Sequence, residues 1–112
     1  MKEILEKLNQ TSGVIGSLIV GRDGLVIESV VPAGINADLV GAIVAGIFTS
    51  AESSMEELHQ GDLVMVMVEG KQGKLVLCNS GAILVVLVGE DVNLGMIRLD
   101  VKDSVEKLKE LL

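Results

Sequence analysis

Residues 36–58 read NADLVGAIVAGIFTSAESSMEEL, and this stretch decides the fold. Its apolar residues recur at steps of three and four, which predicts an amphipathic helix from about Ala37 to Leu58. Asn36 is a favoured N-cap, and Asp38 complements the positive helix terminus. A helical projection predicts that the inward half holds Leu39, Val40, Ile43, Val44, Ile47, Phe48, Ala51, Met55 and Leu58. We expect that half to cover one face of a sheet.

The other half of this helix has an unusual composition for a surface that faces water. Between Asp38 and Glu52 the sequence has no charged residue, although solvent-facing helix surfaces normally carry charges. The residues of this half are small: Gly41, Ala42, Ala45, Gly46, Thr49 and Ser53. Small side chains let a second backbone approach closely, so we predict a helix–helix contact between two copies of the chain. A helix buried more deeply in its own fold is the alternative that the sequence leaves open.

Strands are predicted on both sides of the long helix. They are Val14–Val20, Leu25–Val31, Leu63–Val68, Lys74–Asn79 and Ala82–Val88. The first two flank a Gly21–Gly24 turn, and Gly89, Glu90 and Asp91 end the last strand. A short helix over Lys2–Asn9 and a final helix beginning near Leu94 follow from apolar residues at helical spacing. The predicted order is α-β-β-α-β-β-β-α in one domain, residues 1–112.

Two of the predicted strands are apolar without alternation. These are Leu63–Val68 and Ala82–Val88, and a sheet with one wet face would instead alternate apolar and polar residues. We therefore expect both sheet faces to be covered. The predicted fold is α/β of the α+β type: a five-stranded antiparallel sheet with the long helix on one face and the two terminal helices on the other.

Composition excludes several classes of partner. The chain has 112 residues and a net charge of −7, so phosphate backbones and anionic lipid repel it. Its longest charge-free apolar run, Leu39–Ala51, is shorter than the roughly 20 residues that a membrane-spanning helix needs. The single cysteine, Cys78, fits a reducing compartment. We expect a soluble, cytoplasmic protein that binds no nucleic acid and inserts into no membrane.

Few residues are suited to catalysis. A dyad of His59 and Cys78 is conceivable, but we interpret His59 as a helix-terminal residue and Cys78 as an inert core thiol. One cysteine and one histidine cannot form a zinc site, and no glycine-rich phosphate loop is present. We expect no catalytic residue, no metal and no cofactor. A small enzyme with a site at a sheet edge is the alternative.

Four segments in succession resemble the roadblock family, named for a dynein light chain, and its prokaryotic, MglB-like branch in particular. They are the hairpin Ile19–Ile27, the helix segment Ile43–Gly46, the step His59–Gly61 and the helix start Asn93–Leu99. The resemblance covers nearly the whole chain. It implies a five-stranded sheet and a homodimer in which the third strands pair edge to edge and the long helices lie side by side.

The resemblance also implies positions for two surfaces. The dimer edge strand would consist of Leu63, Val64, Met65, Val66, Met67 and Val68. The small residues Gly41, Ala42, Ala45, Gly46, Thr49 and Ser53 would line or flank the helix pair. The family further implies a partner or regulator of a Ras-like small GTPase, which docks on the two-helix platform through Ala42, Thr49, Glu52, Ser53 and Glu56. A dimeric scaffold that regulates no GTPase is the alternative.

No arginine is predicted on the long helix. The two arginines are Arg22, in the first hairpin turn, and Arg98, in the last helix. An arginine finger needs an exposed and positioned guanidinium. We therefore expect any effect on GTP hydrolysis to come from a shift in the GTPase's own switch loops.

Overall fold

A computed structural model describes residues 1–90 and 92–112, so the predicted strand-ending residue Asp91 lies outside the described residues. The helices are α1 (Lys2–Leu8), α2 (Ala37–Glu57) and α3 (Leu94–Leu111). The strands are β1 (Val14–Val20), β2 (Val26–Val30), β3 (Met65–Glu69), β4 (Lys74–Asn79) and β5 (Ile83–Val88). The predicted order of elements is confirmed. The Asn36 side chain caps α2 as predicted, since its Oδ1 accepts a hydrogen bond from the Leu39 N–H at 3.1 Å.

The five strands form one antiparallel sheet in the order β2-β1-β5-β4-β3. Strand β5 is central, between β1 and β4, and β2 and β3 form the two edges of the sheet. Two predicted strands, β1 and β4, have the predicted bounds. The others differ by one or two residues at one or both ends, most clearly β3, which begins at Met65 instead of Leu63.

The helices divide between the two faces of the sheet as predicted. Val44 and Phe48 of α2 are fully buried in a cluster that includes Leu77 of β4. On the opposite face, Leu5 of α1 and Ile97 of α3 pack into a second cluster. The sheet is thus the middle layer of three.

Strand β3 is less covered than its sequence predicts. The run Ile83–Val88 is buried on both faces except for the half-buried Leu87, as expected. In contrast, Val64 is 76% exposed and Val68 is 40% exposed. The reason is topological: β3 has one neighbouring strand, and α2 packs mainly against β1, β2 and β5. The prediction that both faces are covered is therefore wrong for the third strand, and its first predicted residue, Leu63, is instead buried beneath α2.

The C-terminus of α2 contains a residue in an uncommon backbone conformation. His59 has a φ of 55°, in the left-handed region. Its N–H donates to the Glu56 carbonyl at 3.1 Å, and the Gln60 N–H donates to the Met55 carbonyl at 2.9 Å. These two bonds form a Schellman motif, in which glycine is the usual left-handed residue. The turn begins at His59, directly after the predicted helix end at Leu58.

Candidate protein-binding surface

Helix α2 is rotated relative to the predicted projection. Leu39 and Ile43, predicted to face inward, are 57% and 49% exposed. Gly41 and Ala45, predicted on the outer half, are buried. Both placements are corrected by the structure. The exposed surface of α2 therefore combines apolar residues with small ones.

The cause of this rotation is a close approach between α2 and the β1–β2 turn. A Cβ atom on Gly41 would lie 2.8 Å from the Gly24 carbonyl oxygen and 3.0 Å from a methyl group of Val26. Gly24 itself has a φ of +87° and lies against Ala42 and Ala45. Gly41 and Ala45 thus make room for the chain's own hairpin.

The remaining small residues of α2 do face outward. Ala42, Gly46 and Ser53 are exposed. Thr49 is half-buried, and its hydroxyl donates to the Ala45 carbonyl at 2.8 Å. A Cβ atom on Gly46 would meet no heavy atom within 4 Å. These four residues form a shallow, uncharged surface along the helix, which we call the α2 platform.

The two acidic residues predicted to bind a partner differ in their surroundings. Glu56 is exposed. Glu52 accepts two hydrogen bonds from the Arg22 guanidinium, from Nε and Nη2, each at 3.0 Å. This pairing raises the pKa of Arg22. Arg22 also donates to the Gly81 carbonyl at 2.6 Å and lies 5.5 Å from the centre of the Phe48 ring. Glu52 therefore holds the first hairpin against α2.

An apolar surface lies on the other flank of α2. Ile43 and Ile47 are about 120 to 160° around the helix from Gly41, so they lie away from β2 and toward the β3 side. Ile47 packs in the same cluster as Val66 of β3. Side chains alternate along a strand, so Val68 lies on the same face of β3 as Val66. We call this set the α2–β3 surface; it consists of Leu39, Ile43, Ile47, Val66 and Val68.

The projection missed the helix side of this surface because it assumed that every apolar residue points inward. Val64, Val66 and Val68 were predicted as interface residues, but Leu39, Ile43 and Ile47 were not. The edge of β3 leaves backbone N–H and C=O groups without a strand neighbour, which native proteins usually block with charges or prolines. In Met65–Val68 neither is present. The unbroken apolar run of the third strand was the sequence feature that could have indicated this surface.

The side chains suited to nucleophilic chemistry are in unsuitable surroundings. Burial raises the pKa of the Cys78 thiol to about 11, so the reactive thiolate is scarce at neutral pH. His59 is exposed beyond the end of α2. Among residues 1–90 and 92–112, no group of three or more His, Cys, Asp or Glu side chains could hold a metal ion.

Over the same described residues, every helix is too short or too polar to cross a membrane.

The chain is similar to known proteins in both sequence and structure. Residues 1–88 match the family profile of the Roadblock/LC7 domain. The uncharacterized protein MJ1340 of Methanocaldococcus jannaschii is 44% identical over 109 residues, which cover 96% of each chain.

Two solved structures share the fold. The Roadblock/LC7 domain of Streptomyces avermitilis aligns with a TM-score of 0.92 and 20% identity, covering 99% of this chain and 96% of that one. MglB of Myxococcus xanthus aligns with a TM-score of 0.92 and 19% identity, covering 97% of this chain and 91% of that one. Domains of this family are small adaptor or regulatory modules. The resemblance stated from the sequence is confirmed: the chain belongs to the Roadblock/LC7 family.

Proposed function

We propose that this protein is a homodimeric module that binds and regulates a Ras-like small GTPase through the platforms of its two α2 helices. The observation that carries the proposal is the pairing of two unusual surfaces on one side of the molecule. The α2 platform is exposed without being charged, and beside it lies the exposed apolar α2–β3 surface. A monomer leaves both surfaces in water, whereas a dimer covers the second and presents the first.

The dimer that we propose joins the β3 edges of two copies. Antiparallel pairing through Met65–Val68 satisfies the open backbone groups and extends the sheet across both copies. The same pairing brings the two α2 helices side by side along Leu39, Ile43 and Ile47. Gly41 and Ala45 have no part in this contact, because they are buried against the first hairpin. Ala42 and Gly46 lie above the helix pair.

The GTPase site that we propose is the upper surface of the paired helices. Ala42, Gly46, Thr49 and Ser53 allow close approach of a partner, and Glu56 adds a charge at one end. Glu52 is left out of this site, because its carboxylate already binds Arg22. Because Arg22 is already held by this carboxylate, the GTPase gains no arginine finger from it. Regulation then acts by favouring one arrangement of the GTPase switch loops.

The test is affinity capture from a lysate of the source cell, with a non-hydrolysable GTP analogue in one arm and GDP in the other. We expect a small GTPase to be enriched in one nucleotide state. A Cβ atom at Gly46 meets no heavy atom within 4 Å, so the variant Gly46→Leu adds a bulky side chain to the platform from an open position, and it should abolish capture. The control Gln72→Leu places the same side chain on an exposed turn and should leave capture intact.

Two outcomes contradict the proposal. A partner that binds equally in both nucleotide states, and is still lost in Gly46→Leu, supports the dimeric scaffold instead. Capture that persists in Gly46→Leu shows that the platform is not the binding site.

A further inference from the structure

A second open surface lies on the opposite face of the sheet from α2. It is an apolar groove of about 460 Å³ between α3 and the strands β3 and β4. Its floor is formed by Met65, Met67, Val76 and Cys78, and its wall by Ile97, Val101 and Val105 of α3. Methionine side chains are flexible and adapt to different apolar partners. We call this feature the α3 groove.

The rim of the α3 groove is positively charged, although the protein is acidic. Arg98, Lys102 and Lys109 border it, and they lie within about 40° of one another around α3. Asp62 and Glu106 also border it, so the rim has one positive charge in excess, whereas the chain has a net charge of −7. In the part of the chain that the structure describes, none of these three basic side chains forms an ion pair with a carboxylate.

The neighbouring helix indicates the shape of a suitable occupant. Helix α1 packs beside α3 on the side of β1 and β2. The α3 groove is the corresponding position on the other side of α3, over β3 and β4. From Arg98 to Lys109 the basic row extends about 16 Å along the helix axis, a length of three helical turns. A helix lying there would bury one apolar side and place its flanking residues beside this row.

We propose that the α3 groove binds an acidic amphipathic helix of another protein. The apolar side of that helix packs on Met65, Met67 and Val101, and its carboxylates lie beside Arg98, Lys102 and Lys109. This mode of recognition uses apolar anchors for affinity and charge for orientation and partner choice. The groove and the α2 platform are on opposite faces, so the protein binds this helix and a platform partner at the same time.

The test is selection from a displayed library of amphipathic helices of about 18 residues, long enough to be helical. The library keeps an apolar side of Leu, Ile, Val and Met and randomises all other positions. We expect the selected helices to be enriched in Asp and Glu beside the apolar side. In NMR titrations they should shift the signals of Met65, Met67 and Val101.

Charge reversal then tests the basic row. The triple variant Arg98→Glu, Lys102→Glu, Lys109→Glu should weaken binding of a selected helix by about tenfold, as expected for the loss of three exposed ion pairs. The matched triple variant Lys2→Glu, Lys7→Glu, Lys71→Glu changes the net charge equally and should leave affinity within about twofold, because these charges lie away from the groove and are screened.

Three results overturn the proposal. The first is selection without enrichment of acidic residues, and the second is a set of NMR shifts confined to α2. The third is a change in the mass of the protein caused by the Arg98 triple variant, which would show that the groove is filled by a second copy. Each result is distinct from failure of the GTPase proposal, because that test depends on Gly46.

Discussion

Gly41 and Gly46 lie in the same helix in opposite surroundings. Gly41 is buried against the Gly24 carbonyl, and Gly46 is exposed with open space around it. In the sequence the two are equivalent, since both interrupt a helical pattern. In the structure, the first allows a hairpin to approach and the second leaves a surface open.

The same substitution at these two sites should have opposite effects on stability. Gly46→Ala gains helix propensity and should raise the free energy of unfolding by about 0.5 to 1 kcal/mol. Gly41→Ala should lower it by about 1 to 2 kcal/mol, because the backbone of the hairpin must shift. Urea denaturation at one fixed protein concentration measures both, since dimerisation makes stability depend on concentration. Stabilisation by Gly41→Ala would show that the hairpin does not press on α2.

His59 is a second residue whose backbone can be tested. A left-handed conformation costs a residue with a Cβ atom about 1 to 2 kcal/mol. Glycine avoids this cost, but part of the gain is offset because glycine loses more backbone entropy on folding. His59→Gly should therefore raise the free energy of unfolding by about 0.5 to 1 kcal/mol. His59→Ala keeps the Cβ atom and serves as the control, which should give no increase. Equal effects of the two variants would contradict the strained cap.

At the scale of elements, Arg22 joins three parts of the fold. It lies between β1 and β2, it pairs with Glu52 of α2, and it donates to the Gly81 carbonyl between β4 and β5. Its side chain is 38% exposed, so solvent reduces the contribution of the ion pair. The ion pair therefore adds little to the free energy of unfolding. Its main effect is to fix the position of the hairpin against α2.

Arg22→Ala should lower the free energy of unfolding by about 1 kcal/mol, because the ion pair with Glu52 and the contact with the Phe48 ring are both lost. Arg22→Lys should recover less than half of this lost free energy, because an ammonium group cannot bind both oxygens of Glu52 in parallel. A double-mutant cycle with Glu52→Gln, followed by thermal or urea unfolding, isolates the pair. Full recovery by lysine would contradict a role that depends on the guanidinium.

Local patterns in the sequence predicted the elements well. The N-cap at Asn36 and the bounds of β1 and β4 are set by residues that are close in the sequence, so local sequence patterns predict them. The rotation of α2 could not, because it depends on a contact between Gly24 and Gly41. The exposure of β3 likewise depends on strand order, which places it at an edge. The candidate site on α2 stays a prediction, and the sequence did not indicate that Leu39 and Ile43 are exposed beside it.

At the scale of the whole molecule, the α2–β3 surface is the central feature. Five apolar residues on one helix flank and one edge strand are incompletely covered in a single chain. Contiguous apolar surface of this kind marks protein interfaces. We therefore infer that a second copy covers this surface and completes the platform.

The most direct measurement is the mass of the protein in solution, by sedimentation or by light scattering after gel filtration. We expect a mass of about 24 kDa, twice the 11.8 kDa of one chain. Ile43→Asp should return the mass to that of one chain, because it places a charge in the apolar contact. Ile27→Asp is the matched control, since Ile27 is similarly exposed on the opposite edge strand, and it should leave the dimer intact. A wild-type mass of one chain, or a dimer that Ile43→Asp leaves unchanged, would show that the α2–β3 surface does not join two copies.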